Sequence, residues 1–98
     1  MDGTFSVSLS TPFGRRYGTV RLATGADGAL SGWLEALGRR NPFADGRADG
    51  SRFSFSGRLQ APFGVIPYRA SGTVVDDTLR ADAATPFGNF HITGRRVE

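Results

Sequence analysis

Read for polarity alone, the chain alternates. Phe5-Val7-Leu9, Val20-Leu22, Leu30-Leu34, Phe53-Phe55-Leu59, Ile66-Tyr68, Leu79-Ala81-Ala83 and Phe90-Ile92 each set apolar side chains on one face of a segment, with Ser, Thr, Arg or Asp between them. A period of two is the mark of a strand buried on one side, and no window of about 11 residues sustains helical spacing. With 14 Gly and 5 Pro in 98 residues, helices are further disfavoured. The pattern predicts an all-β chain with strands near 4 to 11, 17 to 24, 29 to 37, 44 to 49, 52 to 60, 65 to 75, 78 to 85 and 89 to 97. The fourth segment, Ala-Asp-Gly-Arg-Ala-Asp, alternates least.

Turn chemistry tests these faces independently. A two-residue loop at Asp76-Asp77 pairs Val75 with Thr78 and sets Val74 beside Leu79. Gly-Ala-Asp-Gly-Ala at 25 to 29 suits a three-residue loop with Gly28 in the left-handed region, which puts Val20 and Leu22 on the face of Leu30 and Leu34. Both agree with the hydrophobic pattern. Eight short strands on short connections form a meander, and closing it removes both sheet edges. The expected architecture is a small eight-stranded antiparallel up-and-down barrel, with a two-sheet β-sandwich as the alternative. A chain of this length forms one domain, residues 1 to 98, with a single core.

Within that domain the chain repeats. Residues 27 to 49 align with 76 to 98, and 5 to 14 with 53 to 64, so 1 to 50 and 51 to 98 read as two four-strand copies. Pro-Phe occurs four times, in Thr-Pro-Phe-Gly (11 to 14), Asn-Pro-Phe-Ala (41 to 44), Ala-Pro-Phe-Gly (61 to 64) and Thr-Pro-Phe-Gly (85 to 88). Read as the connections after strands one, three, five and seven, these segments gather at one end of a meander. The turns with Asp27, Asp49 and Asp76-Asp77 gather at the other. Phe13, Phe43, Phe63 and Phe87 then ring one mouth, rimmed by Arg15, Arg16, Arg39 and Arg40. Such a ring could plug the core, gate a pocket for an apolar or amphipathic ligand with an anionic head, or point outward as an association or membrane-surface patch. Inward Gly32, Gly57, Gly72 and Gly94 leave space that is either cavity or a means for the wall to bend.

Composition removes other classes. All 12 basic residues are Arg, against 9 acids, for a formal charge of +3. Only Arg15-Arg16, Arg39-Arg40 and Arg95-Arg96 cluster, and no stacking motif accompanies them, which argues against nucleic acid. No apolar stretch is long enough to span a bilayer as a helix, and the N-terminal residues lack a basic start and apolar run, so a soluble, cytoplasmic protein is the default expectation. Cys is absent, which excludes disulfides and thiol chemistry.

Candidate chemistry is sparse. With one His and no Cys, a metal site of ordinary composition is not expected, nor is a cofactor. His91 falls on the outward face, as do Glu35 and Asp82, and no Ser lies in a nucleophile elbow. No catalytic residue is assigned. Tyr68 faces inward with a hydroxyl that requires a partner, either a ligand or a neighbouring strand or water. Trp33 faces outward, as the anchor of a homodimer or partner interface or lying under an Arg such as Arg21.

The segment Gly-Thr-Val-Arg-Leu-Ala-Thr-Gly-Ala-Asp-Gly-Ala-Leu-Ser-Gly, 18 to 32, resembles the second strand and turn of the avidin and streptavidin family. That resemblance implies an eight-stranded meander barrel. It does not carry over biotin binding. Where the family has a ligand-binding Ser at the strand start this chain has Gly18, and where it has Tyr then Ser after the turn this chain has Leu34 and Ala36. Calycin-like barrels of the lipocalin type, which hold apolar ligands, are the broader analogy.

Overall fold

In the computed structural model, residues 2–11, 14–36, 38–61 and 64–98 are described. Eight strands follow in order: β1 (Gly3–Thr11), β2 (Gly14–Thr24), β3 (Ala29–Ala36), β4 (Arg39–Asp49), β5 (Arg52–Ala61), β6 (Gly64–Val75), β7 (Thr78–Thr85) and β8 (Gly88–Arg96). Each pairs antiparallel with the next, and β8 closes on β1, giving a closed up-and-down barrel. The alternation that predicts the strands also decides their faces. Phe5, Val20, Leu22, Leu30, Leu34, Phe53, Leu79 and Ile92 are buried inside, while Ser6, Ser10, Arg21, Ser54, Arg69 and Arg80 face out. Register agrees with the turn arguments: Val75 pairs with Thr78 and Val74 with Leu79. At the other loop the Gly25 N–H donates to the Ala29 carbonyl (2.8 Å), with Gly28 at φ 76°.

The main correction concerns strand four. Residues 41 to 44 are not a connection: β4 begins at Arg39, and Asn41-Pro42-Phe43-Ala44 runs through its middle. The reversal is made one turn earlier, at Gly38, whose φ is 77°. Asn-Pro-Phe-Ala lacks the glycine that follows Phe in the other three motifs, and those glycines, Gly14, Gly64 and Gly88, sit at φ 110°, 140° and 113°, where an L side chain is strained. Phe43 therefore leaves the expected ring and enters the core, 6% exposed and stacked on Phe55 with centroids 3.9 Å apart.

The space beside the inward glycines is occupied. A Cβ on Gly57 would lie 2.8 Å from the Tyr68 hydroxyl; one on Gly72 would meet the Arg80 carbonyl and Ala81, and one on Gly94 would meet Val7. At these positions glycine lets neighbouring strands and side chains approach rather than leaving a void.

The two ends differ. At the end bearing the Asp turns, ladders run down to the connections on both sides, as in Thr24 with Leu30, Asp49 with Arg52 and Val75 with Thr78. Arg96, on an inward register position beside Phe5, closes this end: its guanidinium lies 4.9 Å from the Phe5 ring, Nε donates to Asp77 at 2.9 Å and Nη1 donates to the Asp2 carbonyl. At the Pro-Phe end the hairpins β1–β2, β3–β4, β5–β6 and β7–β8 run past the ladders that join them. Those ladders stop at Thr19 with Glu35, Ala44 with Ser56, Arg69 with Ala84 and Ser10 with His91.

Candidate functional site

Hairpin tips build the Pro-Phe end. Thr11 pairs with Gly14, Ala61 with Gly64 and Thr85 with Gly88. Each Thr-Pro-Phe-Gly is tied by the same bond, Thr Oγ1 donating to the Gly carbonyl, at 2.7 Å from Thr11 and 2.8 Å from Thr85. In the second, the Phe87 N–H also donates to Thr85 Oγ1, at 3.1 Å. Phe87 is 49% exposed at this tip, whereas Phe13 and Phe63 lie outside the described residues. Of the expected ring, Phe43 is in the core and Phe87 on the rim.

The arginines fall into two kinds. Arg16 and Arg39 occupy positions in step with the interior, opposite Leu9 and Ala36, yet both are exposed, so they overlook the mouth. Arg15 is exposed on the outer side of the same tip. Arg40 is committed: its guanidinium stacks 4.0 Å above the Trp33 ring and pairs with Glu35 at 3.4 Å. Trp33 therefore packs under Arg40, not Arg21, and is half-buried.

Charge is segregated along the barrel. The Pro-Phe end carries Arg15, Arg16, Arg39, Arg40 and Arg58 against Glu35, while Asp2, Asp27, Asp49, Asp76, Asp77 and Glu98 lie at the other together with Arg47, Arg52, Arg95 and Arg96. Exposed apolar side chains occur at both ends: Tyr17 (73%), Val65 (49%) and Phe87 at the positive end, and Val75 (56%) and Val97 (60%) at the other.

The deepest interruption of the wall is the β4–β5 seam. No ladder pair forms above Ala44 and Ser56, leaving residues 39–43 and 57–61 unjoined. Extending the register places Pro42 opposite Arg58, and proline has no N–H to offer a ladder. Asn41, 3% exposed, bridges the gap by side chain: Nδ2 donates to the Leu34 and Arg39 carbonyls, each at 3.2 Å, and Oδ1 accepts from the Gln60 N–H at 3.0 Å. Over the seam lies a cleft of about 570 Å³ lined by Arg40, Asn41, Pro42, Phe43, Gly57 and Arg58 among others. Arg58 has no hydrogen bond or ion pair among the described residues.

Tyr68 sits behind this seam. It is 4% exposed, packs edge-on against Phe55 with centroids 6.0 Å apart, and turns its hydroxyl over Gly57. That hydroxyl is buried without a hydrogen-bond partner among the described residues. Burial raises its pKa to about 12, because the phenolate would lose its hydration.

His91 and Asp82 bond to each other on the outer wall, Nδ1 to Oδ1, and both are exposed. Among the described residues no three His, Asp or Glu side chains gather as a metal site, and no helix is long and apolar enough to cross a membrane.

Asn41, Arg58 and Tyr17 were not singled out by sequence reasoning as functional. Pro42 one residue after Asn41 was a signal for a ladder break, obscured by reading the segment as a turn. The fold and this end define an eight-stranded up-and-down barrel with one end tied by Arg96 and one end whose hairpins extend past the ladders that join them. No protein-family model matches the sequence, and no curated protein or solved structure matches it.

Proposed function

We propose that the protein is a binding module for a small anionic, amphipathic molecule taken at its Pro-Phe end. The observation that carries this reading is the excess of arginine over acid at that end: Arg15, Arg16, Arg39, Arg40 and Arg58 stand against Glu35 alone, beside exposed Tyr17, Val65 and Phe87. An anionic head is drawn by the guanidinium groups, and an apolar tail covers surface that otherwise faces water. Because neighbours fill the space beside the inward glycines, the tail lies along the hairpin tips rather than down the barrel axis.

Titration of the full chain with decanoate, decanol and decyltrimethylammonium tests this. Decanoate is expected to bind most tightly and to weaken as salt is raised, because guanidinium–carboxylate attraction at an exposed rim is screened. Replacing both Arg16 and Arg39 by Gln is expected to lower decanoate affinity about tenfold. Equal binding of all three compounds, or none by decanoate, would refute the reading.

A second reading is supported by Tyr17, Val65 and Phe87 at the same end: self-association of the barrel through its hairpin tips. Sedimentation separates the two, since a dimer that dissociates on Tyr17→Ser and is indifferent to decanoate belongs to this second reading.

A further inference from the structure

We infer that the β4–β5 seam is where the anionic head of that molecule seats, with Arg58 as its charge partner and Tyr68 as a buried hydroxyl donor. This rests on the anionic-ligand reading and gives it an address. Three independent features converge on the seam. The ladder is missing there on both sides, over residues 39–43 and 57–61, further than at the ends of the other ladders between hairpins. Alternation of backbone direction along β5 turns the N–H and C=O of Arg58, midway between Ser56 and Gln60, toward β4, where Pro42 offers no N–H in return, and the Arg58 side chain is exposed on the outer face. Beneath the opening, past Gly57, lies the hydroxyl of a side chain more than nine-tenths buried, without a partner among the described residues.

A carboxylate fits this arrangement. The Arg58 guanidinium is planar and makes no ion pair among the described residues, although the Asp45 carboxylate lines the same cleft, and the Arg58 backbone N–H faces the gap. Gln60 gains the same kind of acceptor if Asn41 releases it. Phosphate monoesters present the same shape with more charge, so the chemistry named here is a small oxyanion on an apolar stem. The neutral Tyr68 donates, which its raised pKa permits across ordinary pH.

The test uses decanoate with the wild-type chain, Arg58→Gln and Tyr68→Phe, together with hydrogen exchange of the Arg58 and Gln60 amides. Arg58→Gln is expected to weaken decanoate about tenfold and Tyr68→Phe about threefold, with thermal stability lowered in neither. Decanoate is expected to slow exchange at Arg58 and Gln60. If decanoate binds the wild type but neither substitution changes affinity and neither amide is protected, the seam is the wrong address and the broader reading stands. If Tyr68→Phe unfolds more easily without ligand, its hydroxyl already has a partner and its assigned role is wrong. If decanoate does not bind the wild type, both inferences fall.

Discussion

A phenol hydroxyl left unpartnered in a protein interior costs about 1–3 kcal/mol relative to one that is hydrogen-bonded. Tyr68 bears that cost, so without ligand Tyr68→Phe is expected to raise stability by about 1 kcal/mol in urea unfolding. The sign at high pH follows from its raised pKa. The folded state holds the phenol proton to about pH 12 while the unfolded chain releases it near the ordinary tyrosine value of 10. Its contribution is therefore fully present below pH 10 and lost as pH rises through that interval. Wild type should lose stability between pH 10 and 12 more steeply than Tyr68→Phe, as unfolding curves at stepped pH will report. Asp2 behaves oppositely. The Thr24 N–H donates to its carboxylate at 2.7 Å and lowers its pKa, so this tie is present above the ordinary carboxylate range and lost as pH falls through the lowered value, visible as faster exchange of the Thr24 amide. Gly57 completes the residue picture: Gly57→Ala drives a Cβ into the Tyr68 hydroxyl and is expected to cost about 1–3 kcal/mol, part of it recovered in the Tyr68→Phe background. The inward face of Tyr68 was legible from alternation with Ile66. Its lack of a partner was not, because that depends on which strand crosses opposite Gly57.

Among the elements, β4 shows where pattern reading succeeds and where it stops. Seven strands were placed within a few residues because each alternates and is bounded by turn residues. β4 was legible only in its second half, since Pro42 imitates the Pro of the three true turns and a glycine at 46 interrupts the apolar face. What separates Asn-Pro-Phe-Ala from Thr-Pro-Phe-Gly is the closing glycine, a backbone requirement rather than a matter of polarity. The same proline removes a donor from the β4–β5 ladder, and Asn41 restores one bond in its place. Asn41→Ala is expected to destabilise by about 2–3 kcal/mol, since it strands buried backbone groups on Leu34 and Gln60. Native-state hydrogen exchange should show Gln60 losing protection first, before amides on the opposite edge of β5.

At the scale of the whole molecule, charge and order run in one direction. The acidic end is tied by Arg96 and by ladders that reach the connections, and at the basic end four hairpins run past the ladders that join them. Anionic partners should therefore meet the looser end first, and their association rate should fall with ionic strength more than that of a neutral analogue. The meander topology was legible from eight alternating segments and short turns, and with it the sorting of basic and acidic connections to opposite ends. The uneven depth of the seams was not, since it follows from register across neighbouring hairpins. One pairing differs from all others in the barrel. The ladder of β1 with β8, from Phe5 with Arg96 to Ser10 with His91, joins the two extremes of the sequence, whereas the remaining ladders join consecutive strands. Seven of the eight pairings can thus form locally and early, and closure comes last. The bonds that close one barrel are equally satisfied when β8 of one chain lies against β1 of a second, so concentrated protein refolded from urea is expected to yield some strand-exchanged dimers that persist after dilution.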